Sequence, residues 1–389
     1  MFRISRIQEL LKHVPRGQFD ALVRRQQADK HTKKFKAWDQ FTVMVYAQLS
    51  GATGLRQLEA GFNAQRTHHY HLGTQELRRS TLADANAQRS PQLFADIARS
   101  LMARTQRSVR RSCQDLLYLL DSTSITLLGR GLDEWTAPTR TRHTQGVKVH
   151  VLYEAHSQAP CWHSITAANV NDRDEGVRLA IEPAATYVFD KGYCDYNWWE
   201  HIDAQGAHFV TRFKRNAAVT LVQERRVPEA ERGVVLSDQI VRFKYKSQGR
   251  GRRNRYERAL RRLEVAREGD TPLVLATNDV HSPALQIARR YKDRWQVELF
   301  FKWIKQHLNI KRFLGQSENA VRIQILTALI TYLLLVLYKQ ANGRTASLWT
   351  VLAELRATLF QRPAVEAQVY HRRRRRLAEF TALQPGLFG

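Results

Sequence analysis

The order of strand-like and helix-like segments between Leu116 and Phe213 narrows the possible folds most. The apolar run LLYLLDSTSITL starting at Leu116 is rich in β-formers and reads as a buried strand closed by Asp121. Val147 to Glu154 alternates at period two, and Cys161 to Ala167 forms a third strand. A short helix over 172–181 precedes a fourth strand, 186–190, closed by Asp190. A helix over 196–204 and a fifth strand, 208–213, follow. The order β-β-β-α-β-α-β, then a helix, predicts a mixed α/β sheet.

The rest of the chain frames that sheet. Residues 1–112 read as a helical DNA-binding region, with Phe2, Ile4, Ile7, Leu10 and Leu11 at helical spacing. Within them, Trp38 to Leu49 and Leu55 to Phe62 are two short helices joined by a Ser-Gly-Ala-Thr-Gly turn. That pattern suits a DNA-reading helix-turn-helix as well as an ordinary helical hairpin. A helix from Ser90-Pro91 to about Thr105 leads into a basic linker, Arg104 to Arg111. Residues 113–216 hold the first part of the sheet core. Residues 217–280 form a β-rich insertion whose loop, Lys244 to Arg262, carries nine Lys/Arg against one Glu. Arg252, Arg253 and Arg255 in that loop are candidate DNA-backbone contacts. Residues 281–316 complete the core, and 317–389 are a helical C-terminal region with a basic tail, Arg372 to Arg376.

Charge defines the partner. Lys and Arg total 62 against 36 Asp and Glu, a formal net charge of +26. Such a balance is best explained by a polyanion, and double-stranded DNA is the expected one. The three cysteines, Cys113, Cys161 and Cys194, are far apart and form no CxxC pair, which argues against a disulfide scaffold and a thiolate zinc site. No apolar run of signal-peptide type opens the chain. The longest apolar stretch, Ile325 to Tyr338, contains two Thr and is about 14 residues long, too short to span a bilayer. It reads as a buried helix in a protein with no membrane partner, expected in the cytoplasm and at the nucleoid.

One further stretch concentrates unusual chemistry. Ser282-Pro283 reads as a helix start, and no Gly or Pro follows until Gly315, so a single long helix over 282–308 is expected. On a wheel of about 100° per residue with Tyr291 at zero, Arg294, Glu298 and Lys305 fall near −60°, −20° and −40°. Val297, Phe300, Phe301, Ile304 and Leu308 gather on the opposite, core-facing side. Glu298 thus borders the buried stripe with cations on both sides.

Taken singly, Asp121 and Asp190 read as turn caps, and Glu298 as a helix-surface acid supported by Arg294 or Lys302. Together they read differently. Two strands of one sheet can set carboxylates side by side, and a helix packed across the sheet can add a third. Three hard oxygen donors suit Mg²⁺ or Mn²⁺, and two such ions can drive phosphodiester transfer.

These residues resemble a known family. Tyr291, Arg294, Glu298 and Lys305 stand in the spacing Y-x₂-R-x₃-E-x₆-K, the signature of insertion-sequence transposases of the "IS four" group. Those are DDE enzymes with a ribonuclease-H-like catalytic core. Asp121 in LLDST is similar to the family's first acid, and Asp190 in Asp-Lys-Gly-Tyr to its second. The β-rich insertion before the glutamate helix also matches the group.

The resemblance implies a ribonuclease-H-like mixed sheet, with Asp121, Asp190 and Glu298 as catalytic and metal-binding residues for two Mg²⁺ (or Mn²⁺) ions. It implies that Tyr291, Arg294 and Lys305 contact phosphate near the cleaved end. A flipped end base would stack on an aromatic residue, with Trp198, Trp199 and Trp295 as candidates. The implied activity is cut-and-paste transposition: binding of terminal inverted repeats, cleavage of the ends and joining to target DNA, with a homodimer on DNA. The alternatives are a metal-dependent nuclease without strand transfer and a non-catalytic DNA-binding regulator on the same scaffold.

Overall fold

The computed structural model describes residues 5–112, 115–127, 135–136, 145–214, 217–244 and 253–361. Arg252 and the tail Arg372 to Arg376 therefore lie outside the described residues. Seven helices come first: α1 (Arg6–Leu11), α2 (Arg16–Gln26), α3 (Ala37–Ser50), α4 (Leu55–Asn63), α5 (Arg66–Leu72), α6 (Arg79–Gln88) and α7 (Gln92–Ser112). Next come strands β1 (Leu117–Thr126), β2 (Gly146–Glu154) and β3 (Ala159–Ala167), helix α8 (Asp172–Gly176), strand β4 (Thr186–Phe189), helix α9 (Tyr196–Ala204) and strand β5 (His208–Arg212). Strands β6 (Val219–Glu224), β7 (Val235–Phe243), β8 (Leu260–Val265) and β9 (Leu273–Thr277) complete the β structure. The last helices are α10 (Ala284–Asp293), α11 (Trp295–His307), α12 (Glu318–Ala341) and α13 (Leu348–Thr358).

All nine strands join one sheet in the order β3-β2-β1-β4-β5-β9-β8-β7-β6. The pairs β1–β4 and β4–β5 are parallel, and every other neighbour is antiparallel. This is the mixed sheet core that was expected. The insertion strands continue the same sheet through β9, which pairs with β5.

Strand alternation sorts the sheet's side chains onto two faces. Leu117, Leu119 and Val188 pack on one face with α10 and α11, in the core that also includes α12. Tyr118, Leu120, Tyr187 and Phe189 pack on the other, against Trp198, Trp199 and Ile202 of α9.

The helical body is built from both ends of the chain around α12. Its buried residues run from Ala320 to Tyr338 with few breaks and share one core with α3, α7 and α13. At 24 residues, α12 is long and apolar enough by composition to cross a membrane, but 94% of its most apolar window is buried in this fold. Its destination is the core. The 14-residue apolar run is the middle of this longer helix, which extends past it at both ends.

Three local expectations differ from the structure. The linker expected over 104–111 is the end of α7, because the stripe Phe94, Ile97, Leu101, Met102 and Thr105 stays buried while Arg107 and Arg110 are exposed. Asp121 does not end its strand. It stands in mid-β1, since β2 carries the ladder on to Thr126 after β4 has stopped at Phe189. The long helix over 282–308 is two helices. Its N-cap is Pro283, without a side-chain cap, and Asp279 Oδ1 accepts from His281 N and Ser282 N in the turn just before it. The break falls at Arg294, whose N–H donates to Tyr291 O and whose carbonyl accepts from Val297 N, both three residues away at 3.2 Å. That tighter turn interrupts the helix without a Gly or Pro.

Candidate active site

The register β1–β4 places the acids. Leu120 pairs with Phe189, so Asp121 and Asp190 are the next positions of two parallel neighbours. Alternation puts both on the α10–α11 face, because Leu119 and Val188 already point there. Glu298, in the first turn of α11, is the third acid, at a helix end where a negative charge is favoured.

Arg294 ties the group together. Its Nη1 lies 3.4 Å from Asp121 Oδ2 and its Nη2 donates to Glu298 Oε1 at 2.5 Å. Asp121 Oδ1 accepts from Ser122 N at 2.8 Å. Asp190 Oδ1 accepts from Gly192 N at 2.7 Å and caps the short turn Lys191–Tyr193. A Cβ at Gly192 would stand 2.8 Å from Asp190 Oδ1. Only glycine leaves that carboxylate its room, which gives the Asp-Lys-Gly-Tyr sequence a steric reason.

Burial pushes the Asp121 carboxyl up to about 6, with the Asp190 and Glu298 charges adding to the rise and Arg294 opposing it. Burial disfavours the Arg294 charge, yet Tyr291, Asp121 and Glu298 hold that group above its ordinary value. The two directions agree on one point: one guanidinium does not neutralise this cluster.

Tyr291 is buried with its ring centroid 5.8 Å from the Arg294 guanidinium carbon. Lys305 Nζ donates to Ser124 O of β1 at 3.2 Å, and burial, with Lys311 nearby, lowers its pKa. Arg253 and Arg255 are exposed but belong elsewhere. Asn197 of α9 donates to Arg253 O and accepts from Arg255 N, and neighbouring Tyr256 packs in the α9 core, on the opposite sheet face. Trp198 and Trp199 fill that same core, while Trp295 is 57% exposed beside Arg294.

Asp172 went unnoticed in the sequence. Its Oδ1 accepts from Ser122 Oγ at 2.7 Å and lies 3.1 Å from Lys148 Nζ and 3.6 Å from His150 Nδ1. Ser122 and His150 are cross-strand partners. The group therefore braces β1 from the face opposite Asp121. The available signal was the alternation in VKVH, which puts Lys148 and His150 on one face, with an acid opening the next helix. Asp172→Asn removes the partner of a largely buried ammonium and is expected to cost about 2 kcal/mol. Thermal unfolding checks this, and an unchanged midpoint would contradict the bracing role.

Among the described residues, no three acidic, His or Cys side chains stand close enough to hold an ion as they are. The donor chemistry nonetheless fits a hard divalent cation: three carboxylates, two adjacent in register, one of them half-buried and short of positive charge. A consequence for the metal-free protein follows. The Asp121 carboxyl is raised in the folded state, so that state holds its proton longer than the unfolded chain, and stability falls as pH rises from about 4 through 6. With chelator present above pH 6, Asp121→Asn should stabilise by ~2–3 kcal/mol, with the gain vanishing towards pH 4. A lower melting temperature for the variant at pH 7.5 would contradict it.

The likeness to known proteins agrees with this geometry. Residues 112–334 match the transposase DDE domain model, and residues 3–75 match a domain of unknown function, DUF4372. The chain is 43% identical over 289 residues to a putative transposase, y4zB, of Sinorhizobium fredii, covering 74% of this chain and 78% of that one. It is 30% identical over 258 residues to a probable transposase for insertion sequence element IS5377 of Geobacillus stearothermophilus, covering 64% and 66%. In fold it is similar to piggyBac transposase, solved by cryo-EM as a synaptic complex with hairpin DNA, with a TM-score of 0.50 at 10% identity over 92% of this chain and 80% of that one. DDE transposases in general use divalent metal ions. A matched domain over more than half of the chain, and a relative aligned over three quarters of it, place the protein in the DDE transposase family of insertion-sequence enzymes.

Proposed function

We propose that this DNA transposase moves its element by cut-and-paste, with Asp121, Asp190 and Glu298 holding the catalytic cations, two Mg²⁺ (or Mn²⁺) ions. The observation that carries the reading is the shared hold of Arg294 on Asp121 and Glu298, with Asp190 next in register to Asp121. Bound cations would supply Lewis acidity for hydrolysis at the element's ends and for attack by a 3′-hydroxyl. The chain's own groups do the rest. Asp121 and Glu298 would hold the cation, and Arg294, then less bound to them, would grip backbone phosphate in its planar fork. Lys305 adds a point charge further along β1, and the Tyr291 ring backs the guanidinium.

Trp295, exposed next to Arg294, is the candidate to stack an unpaired end base. Arg253 and Arg255 contact DNA away from the acids, and Arg252, outside the described residues, is assigned to DNA with them. The substrate is double-stranded DNA, as terminal inverted repeats and then target, handled by a homodimer on DNA at the nucleoid. Incubating purified protein with labelled end DNA, target plasmid and Mg²⁺ tests the reading. Joined product supports it. Cleavage without joining would make the protein a nuclease, and salt-steep binding without metal-dependent products would make it a regulator.

A further inference from the structure

The loop between α2 and α3 carries three exposed lysines, Lys30, Lys33 and Lys34, none with an ion pair among the described residues. Exposed lysines are ordinary; the loop beneath them is not. Gln27 and His31 both take left-handed backbone conformations, at φ of 50° and 59°, so two sharp turns are packed into five residues. Phe35 anchors the loop in the core.

Arg89, reaching over from the end of α6, holds the loop's carbonyls. Its Nη2 donates to Phe35 O at 2.5 Å and its Nη1 donates to Lys36 O at 3.3 Å and Gln40 Oε1 at 3.0 Å. Gln75 Nε2 donates to Lys34 O at 2.7 Å.

The acids of this region are turned inward. Asp29 Oδ1 accepts from Ala37 N at 2.6 Å and lies 3.7 Å from Arg89. Asp39 is buried, accepting from Lys36 N at 2.7 Å and Thr74 Oγ1 at 2.8 Å. The negative charges thus hold the backbone while the lysines face solvent over an open cleft of about 730 Å³, on whose wall Asp84 is the single acid.

We infer that this loop is a preformed clamp for the phosphate backbone of duplex DNA, contacted through Lys30, Lys33 and Lys34. Holding the loop before binding lowers the ordering cost of three point charges, and each phosphate contact releases counterions. The two-helix hairpin of α3 and α4 fits the task less well. All residues of α3 from Ala37 to Leu49 are buried, so it cannot enter a groove, and α4 offers Arg56 as its only base. The inference gives the segment matched by the domain of unknown function a role. It rests on the protein acting on DNA, and not on the metal site.

The test is binding of full-length protein to end-bearing and unrelated duplexes, without divalent metal, over a salt series. The variant Lys30→Ala/Lys33→Ala/Lys34→Ala should melt like wild type, bind both duplexes at least about tenfold more weakly at 0.15 M salt, and lower the salt slope by about 2 to 3. Arg89→Lys keeps the charge but loses the fork, and should weaken binding in the same sequence-independent way. An unchanged salt slope in the triple variant overturns the contact. Unchanged binding by Arg89→Lys overturns the preformed loop. Because no cleavage is read, failure of the cut-and-paste mechanism would leave both results interpretable.

Discussion

Asp121→Asn, Asp190→Asn and Glu298→Gln are each expected to lower cleavage of end DNA by about three orders of magnitude or more, equivalent to roughly 4 kcal/mol of barrier. Each swap keeps size and hydrogen-bonding capacity while removing the charge that attracts a divalent cation. Binding of the uncut duplex should stay within about threefold of wild type, because phosphate contacts rest on cations elsewhere. Loss of cleavage together with loss of binding would point to misfolding. Retained cleavage in all three would remove the acids from the chemistry. Asp121→Asn should separate the two properties most clearly, being inactive yet more stable in chelator above pH 6.

The largest expected effect on stability lies in the extended half of the sheet. Arg261 of β8 is 1% exposed and meets Asp238 of β7 through both carboxylate oxygens, at 2.9 and 2.7 Å. Its third nitrogen donates to Asp279 O and Ser282 O, at the turn that launches α10. Arg261→Leu removes the two-pronged partner of a buried carboxylate, leaving it Arg225 at 3.5 Å, and unpairs two carbonyls, for an expected loss of about 3 kcal/mol. Adding Asp238→Leu should recover part of it, since a buried pair replaced as a unit costs less than one broken. Thermal denaturation of the single and double variants decides this. A double variant no more stable than the single would contradict the pair's assignment. The site should feel the same change, because the turn that Arg261 holds starts the helix leading to Arg294.

The strands of the catalytic sheet were readable because their apolar runs are bounded by turn residues, and the acids because strands aimed them. What escaped depended on pairing. That Asp121 lies in mid-strand follows from β2 outlasting β4, and nothing near Asp121 says so. Within the β-rich insertion, β6 leaves no individual signal, because VTLVQE is an edge strand, nearly all exposed, with no buried face to set its pattern. The break at Arg294 carries no helix-breaking residue; the guanidinium's attachment to two acids accompanies it. Basic residues misled in both directions. Arg261, counted with the basic loop, is a core residue, whereas the lysines after α2 drew no notice because their setting depends on Arg89, more than fifty residues on. Asp172 was hidden for the same reason, its partners being brought together only by the β1–β2 register.

The most direct measurement follows a duplex labelled at the element's end, incubated with purified protein in Mg²⁺, in Ca²⁺ or in chelator. Strand cleavage at the end's terminal phosphodiester should appear with Mg²⁺ and be absent in chelator, and Asp121→Asn, Asp190→Asn and Glu298→Gln should each remove it. Cleavage that persists in chelator, or that survives the loss of all three carboxylates, would contradict the assignment of these acids as the catalytic centre.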